Sequence, residues 1–140
     1  MCGGLRCCAV LGDEMRIFKN RPFARFARKV GVNDPVICES IADAERGLID
    51  ADLGGGVIKQ RIARPGQGKS GGFRALILYK QGTMAVFVYG FAKNERANIT
   101  RDELEALKEL ADQVLAYDAR AIAQAVTGGT LIEVICDEKD

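Results

Sequence analysis

Three runs rich in β-branched and aromatic residues, Val57 to Arg64, Phe73 to Lys80 and Met84 to Phe91, follow one another with only glycine-bearing connectors between them. Runs of this composition read as strands. Gln81-Gly82-Thr83 is short enough for a hairpin, and Pro65 to Gly72, with four glycines, is a longer turn. The chain is thereby committed to an antiparallel meander, which needs helices to cover its apolar face.

Those helices are written on either side of the meander. Arg21 to Val30 places Phe23, Phe26, Ala27 and Val30 at helical spacing. Asn33-Asp34-Pro35 is a helix start, an Asx cap with proline in the first turn. Ile37, Ile41, Ala44 and Leu48 continue it as an apolar stripe, which predicts a helix over 35–52 stopped by Gly54-Gly55-Gly56. Thr100-Arg101-Asp102-Glu103 is a capping box, followed by Leu104, Leu107, Ala111 and Val114. The expected fold class is α+β: helices near 22–30, 35–52 and 101–117, and strands at 57–64, 73–80 and 84–91. Met15 to Lys19 alternates weakly and predicts a short edge strand. Ala119 to Val126 and Thr130 to Ile135 read as a further helix and strand, either docked on the domain or trailing it.

At 140 residues, 48% hydrophobic and 28% charged, the chain has the size and mix of one globular domain. The expected organisation is a domain over 15–117, a C-terminal extension over 118–140, and a start over 1–14 that does not join the fold. No apolar run approaches the length of a membrane span, and no secretory signal is legible, so a cytoplasmic protein without membrane contact is expected. The five cysteines lack CxxC spacing; Cys2, Cys7 and Cys8 cluster while Cys38 and Cys136 stand alone, and reduced thiols are expected.

Histidine is absent. That excludes a Ser-His-Asp triad, His-ligated zinc and imidazole acid–base chemistry, so Lys, Arg, Tyr or a carboxylate must move any protons. No metal or other cofactor is expected. The net charge of +1 hides a segregation: residues 15–101 carry 16 basic and 7 acidic side chains, whereas residues 102–140 carry 3 and 10. From Leu53 to Asn94 there are seven basic residues and no acidic one. Such a local field attracts polyanions whatever the net charge.

Alternate residues of a strand share a face, so Lys59 and Arg61 point together, opposite Ile58 and Ile62. If the first two strands of the meander pair, Arg74 joins them beside the loop carrying Lys69. Cations this close repel unless they are exposed or an anion binds among them, and Arg and Lys are the usual phosphate ligands. The loop Gly66-Gln67-Gly68-Lys69-Ser70-Gly71-Gly72 is not a nucleotide-binding P-loop. That motif needs glycine where Ala63 stands, and it opens a helix, whereas a strand follows here. Glycines in such a loop let backbone N–H groups approach a phosphodiester.

The run IKQRIARPGQGKSGGFRALILY, then VFVYGFAKNE, then the capped helix resembles the bacterial RelE/ParE toxin superfamily, most closely its HigB-2-like branch, over about residues 15–117. The resemblance implies a helical pair packed on a small antiparallel sheet with a C-terminal helix. It implies a toxin held inactive by a cognate antitoxin of helix-turn-helix type, and a ribosome-dependent mRNA endonuclease (mRNA interferase) working without metal. By motif position, the catalytic residues it implies are Lys59, Arg61, Lys69 and Arg74. Arg64, Ser70, Lys80, Lys93 and Asn94 are then candidates for phosphate contact. The superfamily often has arginine where Asn94 stands, which leaves that position short of a guanidinium acid. Tyr117 is a candidate C-terminal tyrosine by position, and Glu95 an alternative base with a surface role as the plainer reading. ParE-like relatives inhibit DNA gyrase instead, and a plain nucleic-acid-binding module would use the same basic surface.

RNA cleavage by its own 2′-hydroxyl needs a base, cations for the charge on the phosphorane oxygens and an acid for the leaving oxygen. An ammonium crowded by cations gives up its proton more readily. Lys59 or Lys69 is therefore a candidate base, with Arg61 and Arg74 stabilising the transition state.

Overall fold

The computed structural model describes residues 15–64, 68–92 and 99–136, the side chains of residues 64 and 68–71 excepted. Along the chain run β1 (Arg16–Lys19), α1 (Arg21–Val30), α2 (Asp34–Glu45), β2 (Ala51–Gly54), β3 (Val57–Arg64), β4 (Gly68–Lys80), β5 (Met84–Ala92), α3 (Arg101–Val114), α4 (Ala119–Thr127) and β6 (Ile132–Val134). The fold is α+β, and the helix starts follow the sequence signals. Asn20 and Asn33 accept hydrogen bonds from Phe23 N and Val36 N at the heads of α1 and α2. Thr100 and Glu103 form the reciprocal capping box of α3.

One six-stranded sheet in the order β2-β3-β4-β5-β1-β6 forms the middle layer. It is mixed rather than antiparallel, because β1 runs parallel to β5 with Arg16 beside Met84 and Lys19 beside Phe87. Nor is β1 an edge strand: β6 pairs with its other side, Val134 opposite Ile17. A four-residue run records its own alternation but not its neighbours.

Both faces are covered. Phe23 and Ala27 of α1 and Ile37, Ile41 and Ala44 of α2 pack on Ile58, Ile62, Ala75, Ile77, Ala85 and Phe87. Ala111 and Val114 of α3 and Ile122 of α4 pack on the opposite side with Val57, Leu76, Leu78, Val86 and Val88. Burial of this kind contributes about 25 cal/mol per Å² of apolar surface.

The expected helix over 35–52 is the main correction. It ends at Glu45, Leu48 is 59% exposed, and Ala51–Gly54 becomes strand β2 on the edge of the sheet. Gly47 takes φ +89°, a left-handed conformation that stops the helix. Gln60, buried on β3, then latches the following chain: its amide donates to Ser40 O and Leu48 O and accepts from Asp50 N. A buried amide fully used in this way outweighs one further apolar residue at helical spacing. Beside that helix end, Tyr79 donates its hydroxyl hydrogen to Glu45, which also accepts from Gly82 N. Partial burial, reinforced by this carboxylate, pushes the Tyr79 phenol well above its ordinary range.

The expectation of reduced thiols is corrected as well. Cys38 on α2 and Cys136 beyond β6 form a disulfide with Cα atoms 5.7 Å apart. Sequence gives no hint of it because 98 positions separate the two. The C-terminal strand is fastened a second time by Arg16, whose Nε and Nη2 donate to the two carboxylate oxygens of Glu133.

Candidate active site

The register of β3 against β4 decides which cations meet. Arg61 lies directly opposite Arg74, and Lys59 opposite Leu76. Cross-strand partners share a face, so Lys59, Arg61 and Arg74 all belong to the α3 side of the sheet, on the part that α3 leaves open. Two guanidinium groups facing each other across a ladder repel, and the fold answers with a carboxylate. Asp50, just before β2, places Oδ1 3.2 Å from Arg61 Nε and Oδ2 3.4 Å from Arg74 Nε.

The two arginines differ in exposure. The Arg61 side chain is 53% exposed, whereas that of Arg74 is 10% exposed and its Nη1 also meets Phe73 O at 3.4 Å. Arg74 is thus a buried, paired cation, whereas the Arg61 head stands in solvent. Lys59 is half-buried, with Ala51 and Leu76 as cross-strand neighbours. Asp50 is thus shared by the two arginines, and Lys59 adds a third cation one row along the same face. Asp50 was missed by sequence reasoning, because it sits where a helix was expected.

Two aromatic residues complete the face, and an irregularity puts them there. Leu76 pairs with Tyr89 but Ile77 pairs with Phe87, so one extra residue, Val88, is accommodated in β5. Beyond such a bulge the alternation is inverted. Tyr89 and Phe91 therefore turn to the α3 side, in rows with Lys59–Leu76 and Arg61–Arg74 respectively. Their rings lie 5.9 Å apart, and Tyr89 is 39% exposed. Gly90 turns the other way, against Phe26 of α1.

The remaining sequence candidates divide by position. Lys69 and Ser70 lie at the start of β4 beside Arg64, at the hairpin end nearest Arg61 and Arg74. What their side chains do lies outside the described residues, as do Lys93, Asn94 and Glu95 altogether. Lys80 is exposed at the other end of β4, six residues from Arg74, or ~20 Å along a strand. Tyr117 is exposed in the α3–α4 connection. Residues 68–80 form a strand, which agrees with rejecting a P-loop. Among the described residues no cluster of His, Cys, Asp or Glu is arranged to hold a metal ion.

Residues 15–134 match the family model described as the RelE toxin of the RelE/RelB toxin-antitoxin system. The chain belongs to the RelE toxin family. A search of the curated proteins returns no match. The family match takes in the RelE domain read from sequence together with α4 and β6. It is compatible with the covered sheet and the basic, histidine-free face. No helix among the described residues is long and apolar enough to cross a membrane.

Proposed function

We propose that this RelE-family toxin is a ribosome-dependent mRNA endonuclease, of the HigB-2-like branch, that arrests translation in the cytoplasm. The observation that supports the reading is that Lys59, Arg61 and Arg74 share one face of the sheet, with Asp50 paired to the two arginines. An RNA phosphate is the complementary ligand for that excess charge.

In the proposed reaction the 2′-oxygen bonds to phosphorus and the bond from phosphorus to the 5′-oxygen breaks. The products are a 2′,3′-cyclic phosphate and a 5′-hydroxyl, the leaving 5′-oxygen taking its proton from solvent water. Lys59, or Lys69 from the hairpin, takes the 2′-hydroxyl proton. Arg61 donates to the phosphorane oxygens. Arg74, held by Asp50, acts as a fixed charge whose position costs no reorganisation during the reaction. Arg64, Ser70, Lys93 and Asn94 hold flanking phosphates, and Lys80 meets RNA only if it runs the length of β4. The ribosome supplies substrate orientation, so modest catalytic groups suffice. The protein partner is an antitoxin, of helix-turn-helix type, that covers the basic face or blocks ribosome access.

Mapping mRNA 5′ ends after induced expression tests the reading. Codon-phased cleavage that vanishes in Lys59→Ala and Arg61→Ala supports it. Intact mRNA with altered plasmid supercoiling overturns it in favour of gyrase inhibition.

A further inference from the structure

Asp50 divides its carboxylate between two unlike partners. Oδ2 faces Nε of the buried Arg74, and Oδ1 faces Nε of the half-exposed Arg61. The carboxylate is itself largely shielded, and the Asp50 backbone N–H donates to Oε1 of the buried Gln60. One end of the bridge is thus fixed in the protein, and the other opens to water. Asp50 and Arg61 also line a recess of about 470 Å³ together with Leu48 and Gln60, so a solute anion reaches their bond from solvent.

The two contacts have different uses. A buried guanidinium needs a counter-charge, and Oδ2 supplies it to Arg74. An ion pair with a half-exposed partner contributes little to stability, so folding does not account for the hold on Arg61. Arg61 stands directly across the ladder from Arg74. A carboxylate between two such guanidinium groups has the position and the charge of a phosphate shared by them.

We infer that Asp50 is a specificity-determining residue: an internal anion that holds Arg61 while no RNA is present and yields it to the incoming phosphate, keeping Arg74 throughout. The inference deepens the proposed function and rests on the cationic face being an RNA site. Binding at Arg61 is then an exchange of one anion for another rather than a net gain of an ion pair. Loose single strands must be ordered as well as exchanged, and they bind weakly. RNA already oriented on a ribosome meets the exchange with that ordering done. Asp50 thereby favours the presented substrate over free RNA.

The test uses the full chain and a single-stranded RNA hexamer with 2′-O-methyl riboses, which prevent cleavage. Binding is followed by fluorescence anisotropy across a salt series. Asp50→Asn keeps the shape of the side chain and removes its charge. It is expected to bind roughly fivefold tighter than the parent at about 0.1 M salt, with a log–log salt slope steeper by about 0.7, the value of one further phosphate contact on a single strand. Asp50→Glu, which keeps the carboxylate, returns toward the parent. Asp52→Asn removes the same charge from an exposed residue of β2 whose carboxylate accepts from Gly54 N, and it gives a clearly smaller gain. Where Asp50→Asn melts far below the parent, Arg74→Met is compared with Asp50→Asn/Arg74→Met, which leaves no buried charge orphaned, and the double variant again binds tighter. If removing the Asp50 charge gives no tighter binding while Lys59→Ala and Arg61→Ala weaken it, the inference is overturned and the functional reading is spared. Equal tightening by Asp50→Asn and Asp52→Asn also overturns it, since net charge then accounts for the gain. Absence of salt-sensitive RNA binding in both the parent and Asp50→Asn overturns the inference and the functional reading together.

Discussion

Asp50 Oδ2 lies 3.4 Å from Arg74 Nε, with both side chains mostly shielded from water. Removing one member of such a pair strands the other charge in a poorly solvated place. Asp50→Ala is therefore expected to lower unfolding free energy by roughly 3 kcal/mol, measured by urea denaturation. Combining Asp50→Ala with Arg74→Met should recover part of that loss, because the orphaned charge goes with its partner. Purely additive losses in the double variant would show that the pair contributes nothing specific.

Arg61 and Lys59 offer cleaner tests of function than Arg74, because neither is deeply buried. Arg61→Ala and Lys59→Ala should each abolish growth arrest while costing about 1 kcal/mol of stability or less. Each should also reduce the salt dependence of RNA binding by about one phosphate contact. Stable variants that remain fully toxic would remove these two residues from the site.

Gly90 is expected to reject any larger residue. A Cβ there would stand 2.4 Å from Cδ2 and Cε2 of Phe26, whose ring also packs edge-on against Phe73. Gly90→Ala should lower the melting temperature, at a cost of about 1–3 kcal/mol. Phe26→Leu in the same chain should relieve much of it. A melt identical to the parent would show that α1 yields at this contact.

Tyr79 gives the fold an alkaline limit. Its phenol is raised by partial burial first and by Glu45 second. The unfolded chain therefore releases this proton near the ordinary value of 10.0, while the folded chain retains it. The stability it contributes is full below pH ~10 and is lost as pH climbs from there through the raised folded value. Urea midpoints taken from pH 8 upward should fall more steeply above pH ~10 for the parent chain than for Tyr79→Phe. Parallel curves would show that the hydroxyl's environment is unimportant.

The Cys38–Cys136 disulfide spans 98 residues of sequence. Closing a loop of that size is expected to stabilise by about 4 kcal/mol through the unfolded state. Thermal melts with and without dithiothreitol measure it, and Cys38→Ser should be insensitive to the reductant. Under the proposed function the chain works in a reducing cytoplasm, so both thiol states bear on that reading.

The strands of the meander and the start of α3 were legible because their signals are local: β-branched runs, glycine punctuation and a capping box. The site was legible only in its cations. Asp50 was hidden because the end of α2 is decided by Gln60, a residue of the next hairpin, and not by the helical stripe that carried on to Leu48. Tyr89 was hidden because reading alternate residues assumes an unbroken ladder, and the insertion of Val88 inverts everything beyond it. The central place of β1 and the disulfide depend on partners far along the chain, which no window of sequence contains. Family motifs around Lys59, Arg61 and Arg74 carried the functional reading where local physics alone gave a basic surface.

The position of β1 also has a consequence for how the molecule comes into being on the ribosome. β1 is the first strand among the described residues, yet its neighbours are residues 84–87 on one side and 132–134 on the other. A nascent chain can therefore assemble β2, β3 and β4 with their arginines long before the sheet has its final row. Vectorial synthesis thus separates two events: the cationic strands can pair early, and the described sheet is completed only when residues 132–134 leave the exit tunnel.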